Sequence, residues 1–132
     1  MKTFFADTSV FIEMSRTGEG VFKEVLRLAS HDKAKLFVSV VVVAEYWAGK
    51  SMNFKANREE GKILFEKFEV IDVSLKIAKK AGEIRRKHNT DLPDALIAAT
   101  ALEHNAQLAT LNTKHFENIP GLKIWQPKVF KA

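Results

Sequence analysis

Three acidic residues lie where a carboxylate is either a helix cap or a ligand. Asp7 follows a short apolar run, Thr3 to Ala6, and precedes Thr8 and Ser9. That places it at the carboxyl end of a strand, where open parallel sheets build ligand sites. The same position suits an N-cap, whose oxygen accepts the first free amides of the next helix. Glu45 sits within the apolar stretch Val40 to Ala48, poor surroundings for a charge that is neither paired nor bound to metal. It escapes that conflict if the stretch is a helix with Glu45 at its solvated edge. Asp94 follows Pro93 at the start of an apolar helical pattern, where the helix N-terminus favours negative charge. Asp91, three residues earlier, is the better placed cap, which leaves Asp94 free for other work.

Carboxylates from three separate beta-alpha units can converge on one crevice of a doubly wound sheet. Brought together they repel and raise one another's pKa, so a shared site is stable chiefly when a cation neutralises it. The chain has no cysteine, which leaves oxygen and imidazole as donors, and an oxygen set selects a hard ion such as Mg²⁺ or Mn²⁺. Such an ion can bridge phosphate oxygens, activate water for in-line attack and neutralise the leaving oxygen.

The elements that must position these groups alternate in type. Apolar runs at Thr3 to Ala6, Leu36 to Val38, Val70 to Val73, Gln107 to Thr110 and Lys123 to Trp125 read as strands, mostly without polar alternation, as expected where both faces are covered. Between them Val21, Phe22, Val25, Leu26, Leu28 and Ala29 recur at helical spacing, as do Gly61, Leu64, Phe65 and Phe68. Ser74 to Asn89 reads as an amphipathic helix with Ile77, Ala81 and Ile84 inside and a basic exterior, and Pro93 to Leu102 as a buried central helix. Val40 to Val43 fits a strand by its valines and a helix by the spacing of Val40, Val43, Ala44 and Trp47. Ser51 to Asn57 is polar and reads as a mobile connection. The fold class this implies is α/β, a doubly wound α/β/α arrangement around a parallel sheet, over residues 1–132 as one domain.

Size and composition agree. A chain of 132 residues, 46% apolar and 28% charged, can bury a core without staples. No repeat, low-complexity tract, signal peptide or membrane-length apolar run is visible, so a cytoplasmic protein is expected. The net charge of +5 favours a polyanionic partner. The basic end of the Ser74 to Asn89 helix, Arg85, Arg86 and Lys87, is either an RNA-backbone contact or a solvated face.

The pieces FFADTSVFIE at 4–13, SVVVVAEYWAG at 39–49, LPDALIAATALEHNAQLAT at 92–110 and LNTKHFENIPGLKIWQP at 111–127 give the chain its likeness. In order and spacing it resembles the PIN-domain family, and within it the VapC-type toxins of toxin-antitoxin pairs. The resemblance implies a doubly wound fold, often a homodimer, Mg²⁺- or Mn²⁺-dependent cleavage of RNA, and neutralisation by a VapB-type antitoxin that covers or fills the groove. It assigns Asp7, Glu45 and Asp94 as catalytic metal ligands, and Thr8, Ser9 and Thr110 as supporting residues that orient the first carboxylate or its water. A fourth acid is common in the family, but Asn112 stands at that place here. An amide oxygen can support a water but brings no charge and cannot act as a base, so a one-metal site, or a second ion recruited by substrate phosphates, is expected. His104 and His115 read as surface or packing residues, and Trp47 and Trp125 as core or dimer contacts. Two other readings share these residues: a PIN nuclease of RNA maturation or decay without a toxic role, and an inactive PIN-fold module that binds RNA or protein.

Overall fold

The computed structural model describes residues 2–31 and 34–125. Five parallel strands, β1 (Lys2–Ala6), β2 (Ala34–Ser39), β3 (Glu69–Ile71), β4 (Gln107–Ala109) and β5 (Lys123–Trp125), form one sheet in the order β3-β2-β1-β4-β5. Six α-helices connect them: α1 (Thr8–Thr17), α2 (Val21–Ser30), α3 (Val40–Trp47), α4 (Lys55–Phe65), α5 (Leu75–His88) and α6 (Leu92–Glu103). The chain moves outward from β1 through β2 to β3, then returns past β1 to β4 and β5. Right-handed crossovers therefore put α1 to α4 on one face and α5 and α6 on the other. The direction of winding reverses between β1 and β4, and the crevice at their carboxyl ends is where such sheets bind ligands.

All five expected strands are present, four with shifted ends and β5 with the ends expected. β2 begins at Ala34 and runs on to Ser39, while β3 stops at Ile71, short of Val73. β4 ends at Ala109, and Thr110 leaves the ladder to face Asp7.

The ambiguity at Val40 to Val43 resolves as helix. Ser39 caps it, its Oγ accepting the amide of Val41 at 3.1 Å, and the fully buried Val42 shows how tertiary packing overrides the strand preference of valine.

The polar stretch Ser51 to Asn57 is not a loose connection. A 3₁₀ turn, Lys50–Asn53, buries Met52, whose carbonyl accepts Arg58 Nη1 at 2.7 Å; Asn57 Nδ2 reaches back to the Ser51 carbonyl at 2.9 Å. These bonds join directly into α4, whose Gly61 has a packing reason. A methyl group there would lie 3.0 Å from the Tyr46 ring and 3.1 Å from that of Trp47, so only glycine lets α4 approach α3 this closely.

Aromatic side chains build the core on this face. Phe11 of α1 stacks on Phe65 of α4 at 4.2 Å and meets the edge of Phe22 of α2 at 5.5 Å, with Phe68 at 5.1 Å. Phe68 lies beyond the end of α4 yet stays buried. On the opposite face Ile77, Ala81 and Ile84 of α5 and the alanine-rich α6 are buried, as their apolar pattern predicts. Trp47 packs on Tyr46 and Phe65, and Trp125 on Phe4, which bears out the core reading for both.

Candidate active site

Asp7 ends β1 and caps α1, so the two readings of this residue coincide. It is only 4% exposed, and a buried carboxylate must find partners. Oδ1 accepts the Ser9 amide at 3.2 Å, and Oδ2 accepts the Ser9 hydroxyl at 3.0 Å together with the Thr110 hydroxyl. Thr110 in turn accepts the Asn112 amide at 2.9 Å, and Ser9 Oγ accepts that of Leu111 at 3.1 Å. The ends of β1 and β4 are thereby laced together at the switch point.

Glu45 projects from the edge of α3 and its Oε1 accepts the Thr8 hydroxyl at 2.7 Å. Of the supporting hydroxyls, Ser9 and Thr110 hold Asp7, whereas Thr8 holds Glu45 and not the first carboxylate. Successive residues at a helix start point about 100° apart, so the pair reaches two different neighbours.

Asp94 lies in the first turn of α6, half-buried, with Oδ2 3.2 Å from Nδ1 of His115. Asp91 occupies the N-cap position, but its side chain makes no capping bond; its carbonyl accepts the Ala95 amide. Burial raises the Asp94 carboxyl above its ordinary value, and the negative charge of Asp7 raises it further. Glu45 and Asp91 act in the same direction, opposed by His115.

Asp7, Glu45 and Asp94 all line one open cavity of about 940 Å³, together with Thr8, Ser9 and Asn112. Among the described residues no three His, Asp or Glu side chains already stand close enough to share an ion; each carboxylate is turned toward its own hydroxyl or imidazole partner. The donor set nevertheless suits a hard cation, being all oxygen and mutually repulsive enough for Asp7 and Glu45 to perturb Asp94.

The basic groups are distributed differently from expectation. Arg85 lines the cavity while Nη1 donates to the Thr90 carbonyl at 3.1 Å, bracing the turn before α6. Arg86 and Lys87 do not line it, and Lys87 pairs with Glu83 at 2.9 Å. The angular step of the helix carries them away from the face that Arg85 presents.

Arg16 was missed by the sequence reading and stands on the cavity wall. Its signal is the helical spacing of Ser9, Ile12, Glu13 and Arg16, which puts all four on one side of α1, with Val10 and Phe11 buried on the other. His115 also lines the cavity while staying exposed, as its surface reading expects. His104 keeps that reading: Nδ1 bonds the Thr100 carbonyl and the ring packs on Phe5 and Phe37.

A doubly wound parallel sheet with three carboxylates lining one cavity at the carboxyl ends of its strands defines the class. The PIN domain family model matches residues 4–122, and the chain belongs to that family. Ribonuclease VapC10 of Mycobacterium tuberculosis is 42% identical over 93 residues, 67% of this chain and 68% of that protein. Ribonuclease VapC2 of Rickettsia felis is 27% identical over 128 residues, 90% of this chain and 93% of the relative. Among solved structures, a chain in the crystal structure of VapBC2 from Rickettsia felis bound to a DNA fragment from their promoter matches with a TM-score of 0.83. That match is 26% identical and covers 96% of this chain and 99% of the other.

Proposed function

We propose that this chain is an endoribonuclease dependent on Mg²⁺ or Mn²⁺, and the toxin of a toxin-antitoxin pair. The observation that carries the reading is the meeting of Asp7, Glu45 and Asp94, from three separate beta-alpha units, in one cavity of a PIN-family fold. The relatives named as VapC ribonucleases support the substrate, and the VapBC complex supports an antitoxin partner.

The three carboxylates would hold one ion, with Ser9 and Thr110 fixing Asp7, and Glu45 and Asp94 closing on it by side-chain rotation. When bound, the ion supplies a polarised phosphate and an activated water. Arg16 and Arg85, both on the cavity wall, grip phosphates on either side of the scissile bond. Asn112 lines the same wall; its amide orients a water but takes no proton, which favours a single resident ion.

The rim also carries exposed Ile12, Leu92 and Leu111 around an acidic interior. A VapB-type antitoxin fits this mouth if it presents apolar side chains to the rim and a basic group to the carboxylates. Assembly as a homodimer and a cytoplasmic location belong to the same reading. No helix among the described residues is long and apolar enough to cross a membrane.

The test is cleavage of a defined RNA by the purified chain with Mg²⁺, with Mn²⁺ and with chelator. Cutting is expected only with metal, and Asp7→Asn and Asp94→Asn should remain folded and inactive. Cutting by both variants would refute the site. Growth arrest on expression, absent for Asp7→Asn and relieved by the product of a neighbouring gene, separates a toxin from a nuclease of RNA maturation or decay.

A further inference from the structure

Each of the three carboxylates has its own neighbour in the cavity wall. Ser9 and Thr110 hold Asp7 and Thr8 holds Glu45, all through hydroxyls. Asp94 has an imidazole beside it instead, His115 Nδ1 lying 3.2 Å from Oδ2. We propose that His115 is a positioning residue that sets the Asp94 carboxylate for metal binding, a role resting on the metal-dependent reading above.

The backbone makes His115 suitable for this. It ends a 3₁₀ turn, Thr113–His115, that follows β4, and its amide donates to the Asn112 carbonyl at 3.0 Å. The next residue, Phe116, is 1% exposed and anchors the turn in the core. The same six-residue segment begins with Thr110, which holds Asp7. One strap leaving β4 thus fixes oxygens of two carboxylates that come from different elements, β1 and α6. A shift of the strap moves both together.

An N–H at Nδ1, which one neutral tautomer and the imidazolium both supply, is near enough to Oδ2 to bond it once the ring turns toward the carboxylate. Such a bond would engage Oδ2 and leave Oδ1 of Asp94 as the oxygen for an ion. Partners of this kind to ligating carboxylates typically change metal affinity or activity by about 10- to 100-fold.

The test compares wild type, His115→Ala and His115→Asn as full chains. Asparagine can place an amide N–H near the site of Nδ1 and alanine cannot. Mn²⁺ binding is measured by titration calorimetry, cleavage by kcat and KM, and folding by thermal unfolding without metal.

The expected result is a fall of about 10-fold or more in Mn²⁺ affinity and in kcat for His115→Ala, KM for RNA within about twofold, and recovery of most of the loss in His115→Asn. Unchanged Mn²⁺ affinity in His115→Ala would overturn the proposal, as would a rise in KM alone, which would make His115 an RNA contact. So would an asparagine variant no better than alanine. A wild type that binds no Mn²⁺ removes the centre and the role with it. If the wild type binds Mn²⁺ and the variants rank as expected but no RNA is cut, only the substrate reading fails.

Discussion

Asp94 sits in surroundings unfavourable to its charge, and this has a consequence for pH. Its carboxyl is raised first by burial and then by Asp7. A group raised in this way contributes stability that is complete below the pKa of the unfolded chain and is lost as pH rises through the folded value. The metal-free protein should therefore lose that contribution as pH rises through the raised value of Asp94. Metal needs the ionised form, so protons compete, and Mn²⁺ affinity should fall as pH drops through the same raised value. Calorimetric titrations across mildly acidic pH check this; an affinity that is flat until the ordinary carboxylate range would contradict it. Thr8→Val offers a second check at this scale. It removes the hydroxyl that orients Glu45 while conserving shape, and should lower kcat with little change in the unfolding midpoint. Cleavage at the wild-type rate would show that Glu45 needs no such guide. At the residue scale Asp7 was legible because it follows a strand end, Asp94 because it opens a helix and Glu45 because it interrupts an apolar stretch, while Thr8, Ser9 and Thr110 came only with the family resemblance. His115 was hidden because an exposed histidine in a turn carries no periodic signal, and only the folding of the β4 strap against α6 reveals its neighbour.

Among the elements, α1 links core and site most directly. One side carries Phe11 into the aromatic cluster and the other carries Ser9, Ile12, Glu13 and Arg16 into the cavity. Phe11→Ala should destabilise the fold by about 3–5 kcal/mol, read from denaturant unfolding, and loosen the cavity wall with it. A cost below about 1 kcal/mol would mean that the cluster closes over the gap. The α1–α2 corner depends on Gly20, at φ +109°, where an added methyl group would run into the Glu13 carboxylate. That carboxylate accepts the Val21 amide at 2.9 Å and so caps α2 from α1. Gly20→Ala combines left-handed strain with this clash and should cost roughly 1–3 kcal/mol; a variant as stable as wild type would show that the corner can rearrange. Strands were legible as apolar runs and helices as periodic stripes. The valines before Glu45 were not, because a buried helix and a buried strand look alike over a few residues, and the deciding group was a single capping hydroxyl on Ser39. The polar 3₁₀ turn after α3 was also hidden, since its order comes from carbonyls that accept side chains arriving from α4.

For the whole molecule, a net positive chain with an acidic cavity would, on the proposed function, separate two tasks: cations would hold a phosphate backbone and carboxylates would act on one point of it. Arg16, on the cavity wall, should make one such contact. In chelator, Arg16→Ala should weaken RNA binding and flatten the slope of log affinity against log salt by about 0.7. An unchanged slope would place Arg16 off the RNA path. The fold class and sheet were readable from the alternation of elements, and the resemblance to the PIN-domain family supplied the strand order's function. The exact face that Arg85 shares with the site, and Arg86 and Lys87 do not, required the helix to be docked. The account as a whole turns on whether the three acids can enclose one hard cation. Anomalous diffraction from crystals soaked in Mn²⁺ measures this directly. The account predicts one strong peak bounded by carboxylate oxygens of Asp7, Glu45 and Asp94, absent in Asp94→Asn; no peak there, or a peak that survives the substitution, would contradict it.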